Sequence, residues 1–252
     1  MLGMDMWSSV RFALLLPSSI ALLWSLTVLP TFRSATPARE LTERVLADQR
    51  FKPAALVEAL ARIEREPSRL VVATSVVRAA ALVGLGVAEG AIDRTSPEMA
   101  DREVAAAEQR VRAALSLNPT DAFLWLMLYS VAAERNGFDI GLIKYLDQSY
   151  ATGPYEGLIA LRRNRLTLAV FSMLGPATRE RAGSEFAGLV DSGFSEDAAL
   201  ILTSVGWVNR EQLLPLLERT DIASREALAR QLSRRGFSVE IPGVKQSDRP
   251  WG

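Results

Sequence analysis

The chain has 252 residues, enough for a buried core, and balances 29 Lys plus Arg against 29 Asp plus Glu. It therefore lacks the global basic field typical of nucleic-acid binders, and no nucleic-acid partner is expected. Neither cysteine nor histidine occurs, which excludes disulfides, thiol catalysis, Ser–His triads and cysteine- or histidine-bearing metal sites.

From Phe12 to Phe32 no residue is charged. A helix of that length rises roughly 30 Å, the thickness of a bilayer's hydrocarbon core. Pro17 and Pro30 lie near its ends, and Trp7, Arg11 and Arg33 flank it as interfacial anchors. The expectation is a tail over 1–11, an uncleaved membrane helix over 12–32 and a polar linker over 33–40. A buried core helix and a cleaved signal peptide are the competing readings. Four arginines (Arg33, Arg39, Arg44 and Arg50) follow the span and only Arg11 precedes it, which by charge alone keeps the following domain in the cytoplasm. The absence of cysteine and the signal-anchor form favour the periplasmic side of a bacterial inner membrane, and that side is the expectation.

Beyond the linker, stretches rich in Ala, Leu, Arg and Glu repeat apolar residues at helical spacing. Examples are Leu56, Leu60 and Ile63; Val104, Ala107, Val111, Ala114 and Leu115; and Leu213, Leu216 and Leu217. Pro53, Pro67, Pro97, Pro119, Gly153-Pro154, Gly175-Pro176 and Ser192-Gly193 punctuate them. Helical segments joined by short connections imply antiparallel neighbours, so the fold class is all-α, a stack or bundle of helix pairs over 41–237 with a tail over 238–252.

GLGVAEG (84–90) superficially looks like a phosphate loop, but it follows a helical stretch rather than a strand, so the glycines read as a helix end or a close packing contact. At 117–139, Asp121 is positioned to cap a helix carrying Phe123, Trp125, Met127 and Tyr129. Trp125 and Leu128 read as core. Phe123 and Met127 lie on another face, able to pack on a preceding helix pair or to line a concave surface. In RRNR (162–165), Arg162 and Arg165 share a helical face and Arg163 turns away. Such a cluster forms a solvated face, pairs with a neighbouring helix or meets a partner's acidic groups; with no acidic run nearby in sequence, the partner-binding reading is the one taken as the expectation. Asp191, Glu196 and Asp197 gather around a turn, with the pattern of a solvated loop. In DIASREALARQLSRRG (221–236), Asp221 or Ser224 caps a terminal helix holding Leu228 and Leu232 and ending at Gly236. No catalytic, cofactor or metal residue is assigned.

Pro119 and Pro154 lie 35 residues apart, close to the period of tetratricopeptide helix pairs. Counting Trp125 as a first signature position puts Leu128, Gly141 and Tyr145 at further ones, and Ala107, Val111, Ala114, Leu115 and Pro119 match the second helix of a preceding pair. Over 104–154 the chain resembles the tetratricopeptide-repeat family, although Tyr129 and Gln148 stand where that family has small residues. The resemblance implies an α-solenoid and binding of a protein partner; the residues that local charge and helical facing offer for that partner are Arg162, Arg163, Arg165, Phe123 and Met127. The expected function is a membrane-anchored scaffold or adaptor, not an enzyme, in envelope assembly such as polysaccharide export or secretion. The alternatives are a carboxylate-dependent envelope enzyme and a membrane-tethered DNA-binding regulator.

Overall fold

The computed structural model describes residues 53–65, 73–92, 94–154 and 157–245, and every regular element among them is helical. The span expected over 12–32 lies outside the described residues, as do the linker over 33–40 and residues 246–252. The chain divides into two compact units, Met1–Ala106 and Ala107–Gly252.

In the first unit, Pro53 opens helix α1 (Pro53–Arg65), where its missing N–H costs nothing. Leu56 and Leu60 project from one side of α1 onto Val83 of α2 (Ala73–Ile92), with Ile63 and Val87 at the edge. Gly84, Gly86 and Gly90 lie within α2 rather than at its end. At Gly86 the reason is contact: a Cβ there would stand 3.1 Å from Leu56 Cδ1. The close-packing half of the expectation holds and the helix-end half does not. Ser96 and Pro97 start α3 (Pro97–Leu117), with Ser96 Oγ accepting from the Met99 N–H at 3.4 Å.

In the second unit, Asp121 caps α4 (Ala122–Asn136), accepting from the Leu124 N–H at 3.1 Å. This helix is buried around most of its circumference, including Phe123, Leu124, Leu126, Met127 and Leu128. Its aromatic and aliphatic surface packs inside the chain. Gly137, at φ 74°, ends it in a conformation that favours glycine. Asp139 then turns the chain into α5 (Ile143–Thr152), which packs along α4 and donates a hydrogen bond from Ser149 Oγ to the Ala122 carbonyl at 2.8 Å.

The next helices are α6 (Gly157–Ala169) and α7 (Pro176–Asp191), which pack on each other, then the short α8 (Ser195–Ile201). A π-helical turn, Leu202–Gly206, continues α8. It brings Gly206 so close to Leu168, Leu202 and Leu213 that a Cβ would lie 3.3–3.4 Å from all three. The stretch expected as one helix around Leu213–Leu217 is instead a single α turn, α9 (Arg210–Leu213), followed by 3₁₀ helix (Leu214–Arg219). Pro215 breaks the α pattern there, so Leu213 and Leu217 are buried while Leu216 is exposed.

Helix α10 (Ile222–Arg234) is capped by Asp221 and buries Leu228 and Leu232, as the sequence leads one to expect. It closes with a Schellman motif: Gly236 at φ 82° donates to Ser233, and the Phe237 N–H donates to Leu232 at 2.9 Å. Residues 237–245 then return along α10. Ile241 is buried, and Arg225 Nη1 donates to the Pro242 carbonyl.

Candidate functional site

The least expected side chain of the second unit is Arg163. It is wholly buried, together with its neighbours Asn164 and Thr167. It lies on the inward stripe of α6 formed by Ile159, Ala160 and Leu168, so α6 must bring a cation into the core. A buried guanidinium is tolerable only if its donors find acceptors. Its Nε and Nη2 donate to Glu185 Oε1 on α7, the former at 3.0 Å. Its Nη1 donates to the carbonyls of Ser149 (2.8 Å) and Gly153 (2.9 Å). These carbonyls lie at the C-terminal end of α5, where the Ser149 carbonyl also accepts from the Gly153 N–H at 3.2 Å, and a cation at a helix C-terminus is favourable.

Tyr150 completes the arrangement. Its ring lies under the guanidinium at 4.2 Å, and its hydroxyl donates to Glu185 Oε2 at 2.8 Å. Burial and the neighbouring Glu185 carboxylate push the Tyr150 phenol above its ordinary range, so it stays a neutral donor. Burial also raises Glu185, while hydrogen bonds and charge from Arg163 and a hydrogen bond from Tyr150 pull it back down. Three helices thus meet at one arginine.

Glu185 and Tyr150 are also part of the wall of an open groove of about 420 Å³ between the α5–α6 connection and α7. Pro154 and Gly157 form one side, and Arg181, Gly188 and Phe194 the other. Arg181 and Glu185 are one helical turn apart on the same face of α7. Glu185 is the only carboxylate on that wall among the described residues, and the groove is open rather than closed.

The residues expected at a partner face are distributed differently. Arg165 is exposed and Arg162 half-buried, but Arg163 is turned into the core. The compensating acid exists; it is 22 residues away on the next long helix. Phe123 and Met127 are 4% and 3% exposed, so they belong to the packed interior rather than to an open surface. Trp125 is half-buried rather than fully core. Its ring stacks on Tyr145 at 6.1 Å, and its indole N–H donates to the Pro119 carbonyl at 2.8 Å. Leu128 is buried as expected.

A second polar cluster lies nearby in the same unit. Glu108 receives Arg112 Nη2 at 2.7 Å and Arg135 Nη1 at 3.4 Å, and Arg112 also donates to the Tyr145 hydroxyl. The acids around 191–197 act as ties. Asp191 Oδ1 accepts from the Asp221 N–H at 2.8 Å, and Glu196 sits 3.9 Å from Arg235. Among the described residues no group of three or more acidic side chains gathers as metal ligands would.

Sequence reasoning missed Glu185 and Tyr150. The available signal was positional: Glu185 follows Ala182 by three residues and precedes Leu189 by four, which puts a carboxylate on the apolar stripe of α7. Neither a family model, nor a curated protein, nor a solved structure matches the chain.

Proposed function

We propose that the chain is a membrane-anchored helical adaptor that binds another protein through the groove beside α7. The observation that carries this reading is the groove itself: it is open, and it is backed by a hydrogen-bonded core around Arg163. Binding faces of stacked-helix proteins have this character, with shape held by packing behind the surface. The tetratricopeptide-like spacing over 104–154 supports the same class, and the Trp125–Tyr145 stack between α4 and α5 agrees with the pairing that this spacing implies. For the anchor, the support is the uncharged stretch 12–32 in sequence. One described helix, Thr74–Ile92, is also long and apolar enough to cross a membrane, though 44% of its most apolar window is buried within the protein. Bacterial envelope assembly, such as polysaccharide export or secretion, is the setting that an anchored adaptor fits.

The test is site-specific photocrosslinking in intact membranes. A benzophenone amino acid replaces Ser184, exposed on the groove face of α7, or in separate variants Phe138 or Val208, exposed elsewhere. One discrete protein adduct from Ser184, absent from the other two, is expected. No discrete adduct from any of the three positions would remove the adaptor reading.

A further inference from the structure

An asparagine side chain is open to attack by the backbone nitrogen of the residue that follows it. The attack needs an N–H that is not already engaged, a main chain free enough to bring the two atoms together, and water. The chain has four asparagines, and three are closed to it. Asn118 precedes Pro119, which has no N–H. Asn164 is wholly buried in the middle of α6. Asn209 precedes Arg210, whose N–H donates to the Trp207 carbonyl. Asn136 differs at each point. It is the last residue of α4 and is exposed, as are Phe138 and Ile140 beyond it. It precedes Gly137, whose φ of 74° and missing Cβ give that peptide its freedom. The Gly137 N–H makes no hydrogen bond among the described residues, and a Cβ built there would meet nothing within 4 Å. One bond holds the side chain, from Asn136 Nδ2 to the Ala132 carbonyl at 3.2 Å, and it lies at a helix end, where structure opens most easily.

We infer that Asn136 is a site of spontaneous modification, where its amide is exchanged for a carboxylate with water as the co-reactant. The Gly137 nitrogen bonds to Asn136 Cγ and the Cγ–Nδ2 bond breaks. The leaving amide takes the Gly137 proton and departs as ammonia. Water then opens the cyclic imide. Attack at Cγ restores the main chain, with aspartate in place of Asn136. Attack at the main-chain carbonyl carbon leaves isoaspartate, with the main chain running through the former side chain. Nothing is oxidised or reduced. Either product puts a negative charge at the C-terminal end of α4, where the helix dipole disfavours it, and removes a donor from the Ala132 carbonyl. The connection from α4 to α5 is therefore the place where the chain changes chemically as it ages.

The experiment incubates the full chain in detergent at mildly alkaline pH in water enriched in heavy oxygen, beside a sample unfolded in urea. Each is then digested with trypsin in ordinary water and read by mass spectrometry. Cleavage after Arg135 and Lys144 isolates residues 136–144, in which Asn136 is the only asparagine. Heavy oxygen should enter that fragment at least about fivefold faster than the fragment holding Asn209, because an N–H already hydrogen-bonded must first be released. Folded and unfolded chains should agree within about tenfold at Asn136, since a helix end opens at little cost in free energy. Asn136→Gln, whose longer arm closes the ring far more slowly, should leave the fragment unlabelled. A smaller lead over Asn209, stronger protection in the folded chain, or label persisting in Asn136→Gln would each overturn the inference.

Discussion

Arg163 shows where residue-scale reading of a sequence stops. Within RRNR the three arginines are chemically identical, and helical spacing separates only their directions. Which direction is inward depends on where α7 lies, and the Glu185 that makes burial tolerable arrives 22 residues later. Local charge counting therefore places the cluster on a surface, whereas its middle member is the largest fully buried side chain of the unit. The energetic consequence is specific. Removing one partner from a buried ion pair costs about 3–5 kcal/mol, because the other charge is stranded, whereas an exposed arginine contributes little. Arg163→Gln should lower the melting temperature by roughly 10 °C, and Arg165→Gln by a degree or two at most. The pair Arg163→Met with Glu185→Leu should recover part of the loss but not all, since the Gly153 carbonyl loses its guanidinium donor and the Tyr150 hydroxyl loses the carboxylate that accepts from it. Thermal denaturation followed by circular dichroism checks all three.

At the scale of elements the sequence was more informative, for a physical reason. Breakers act locally, so Pro53, Pro97 and Pro176 open helices and Gly236 closes one where a reader of the sequence would put them. The misjudged elements are those whose geometry is imposed from outside. The glycines of 84–90 stay inside α2 because Leu56 packs on Gly86, and the π turn at 202–206 exists where three leucines crowd Gly206. Trp125 belongs to this class too: its spacing fits a helix pair, but the stack on Tyr145 leaves it half-exposed. For Gly206→Ala two effects compete. Replacing a helical glycine by alanine gains at most about 1 kcal/mol through the unfolded chain. Forcing a methyl against Leu168, Leu202 and Leu213, all 1% exposed or less, costs about 1–3 kcal/mol because no neighbour has room to withdraw. Net destabilisation is expected in urea titration. A stabilised Gly206→Ala protein would mean that the leucines repack freely.

For the whole molecule, the all-helical class was legible because a 3.6-residue period persists over most of the chain. The membrane question divides between two segments. Residues 12–32 are apolar all round, whereas Thr74–Ile92 passes the same length and composition test while packing Val83 on Leu56 and Leu60. Placing those leucines in lipid instead would forfeit the α1–α2 contact. The expected result is that the full chain resists carbonate extraction, while a variant lacking residues 1–40 is released to the supernatant. Retention of that shortened chain in the membrane would transfer the anchor to α2.

The clamp at Arg163 also bears on how this part of the chain comes apart. In an ideal helical repeat array each pair unravels independently, since it touches only its neighbours. Here one guanidinium holds the last turn of α5, belongs to α6 and is neutralised from α7. Peeling away α6 or α7 leaves a buried charge without its counter-charge, and peeling away α5 strips the guanidinium of its two carbonyl acceptors. Partial opening is therefore penalised about as heavily as full opening, and the three helices melt, and their amides exchange, as one cooperative block.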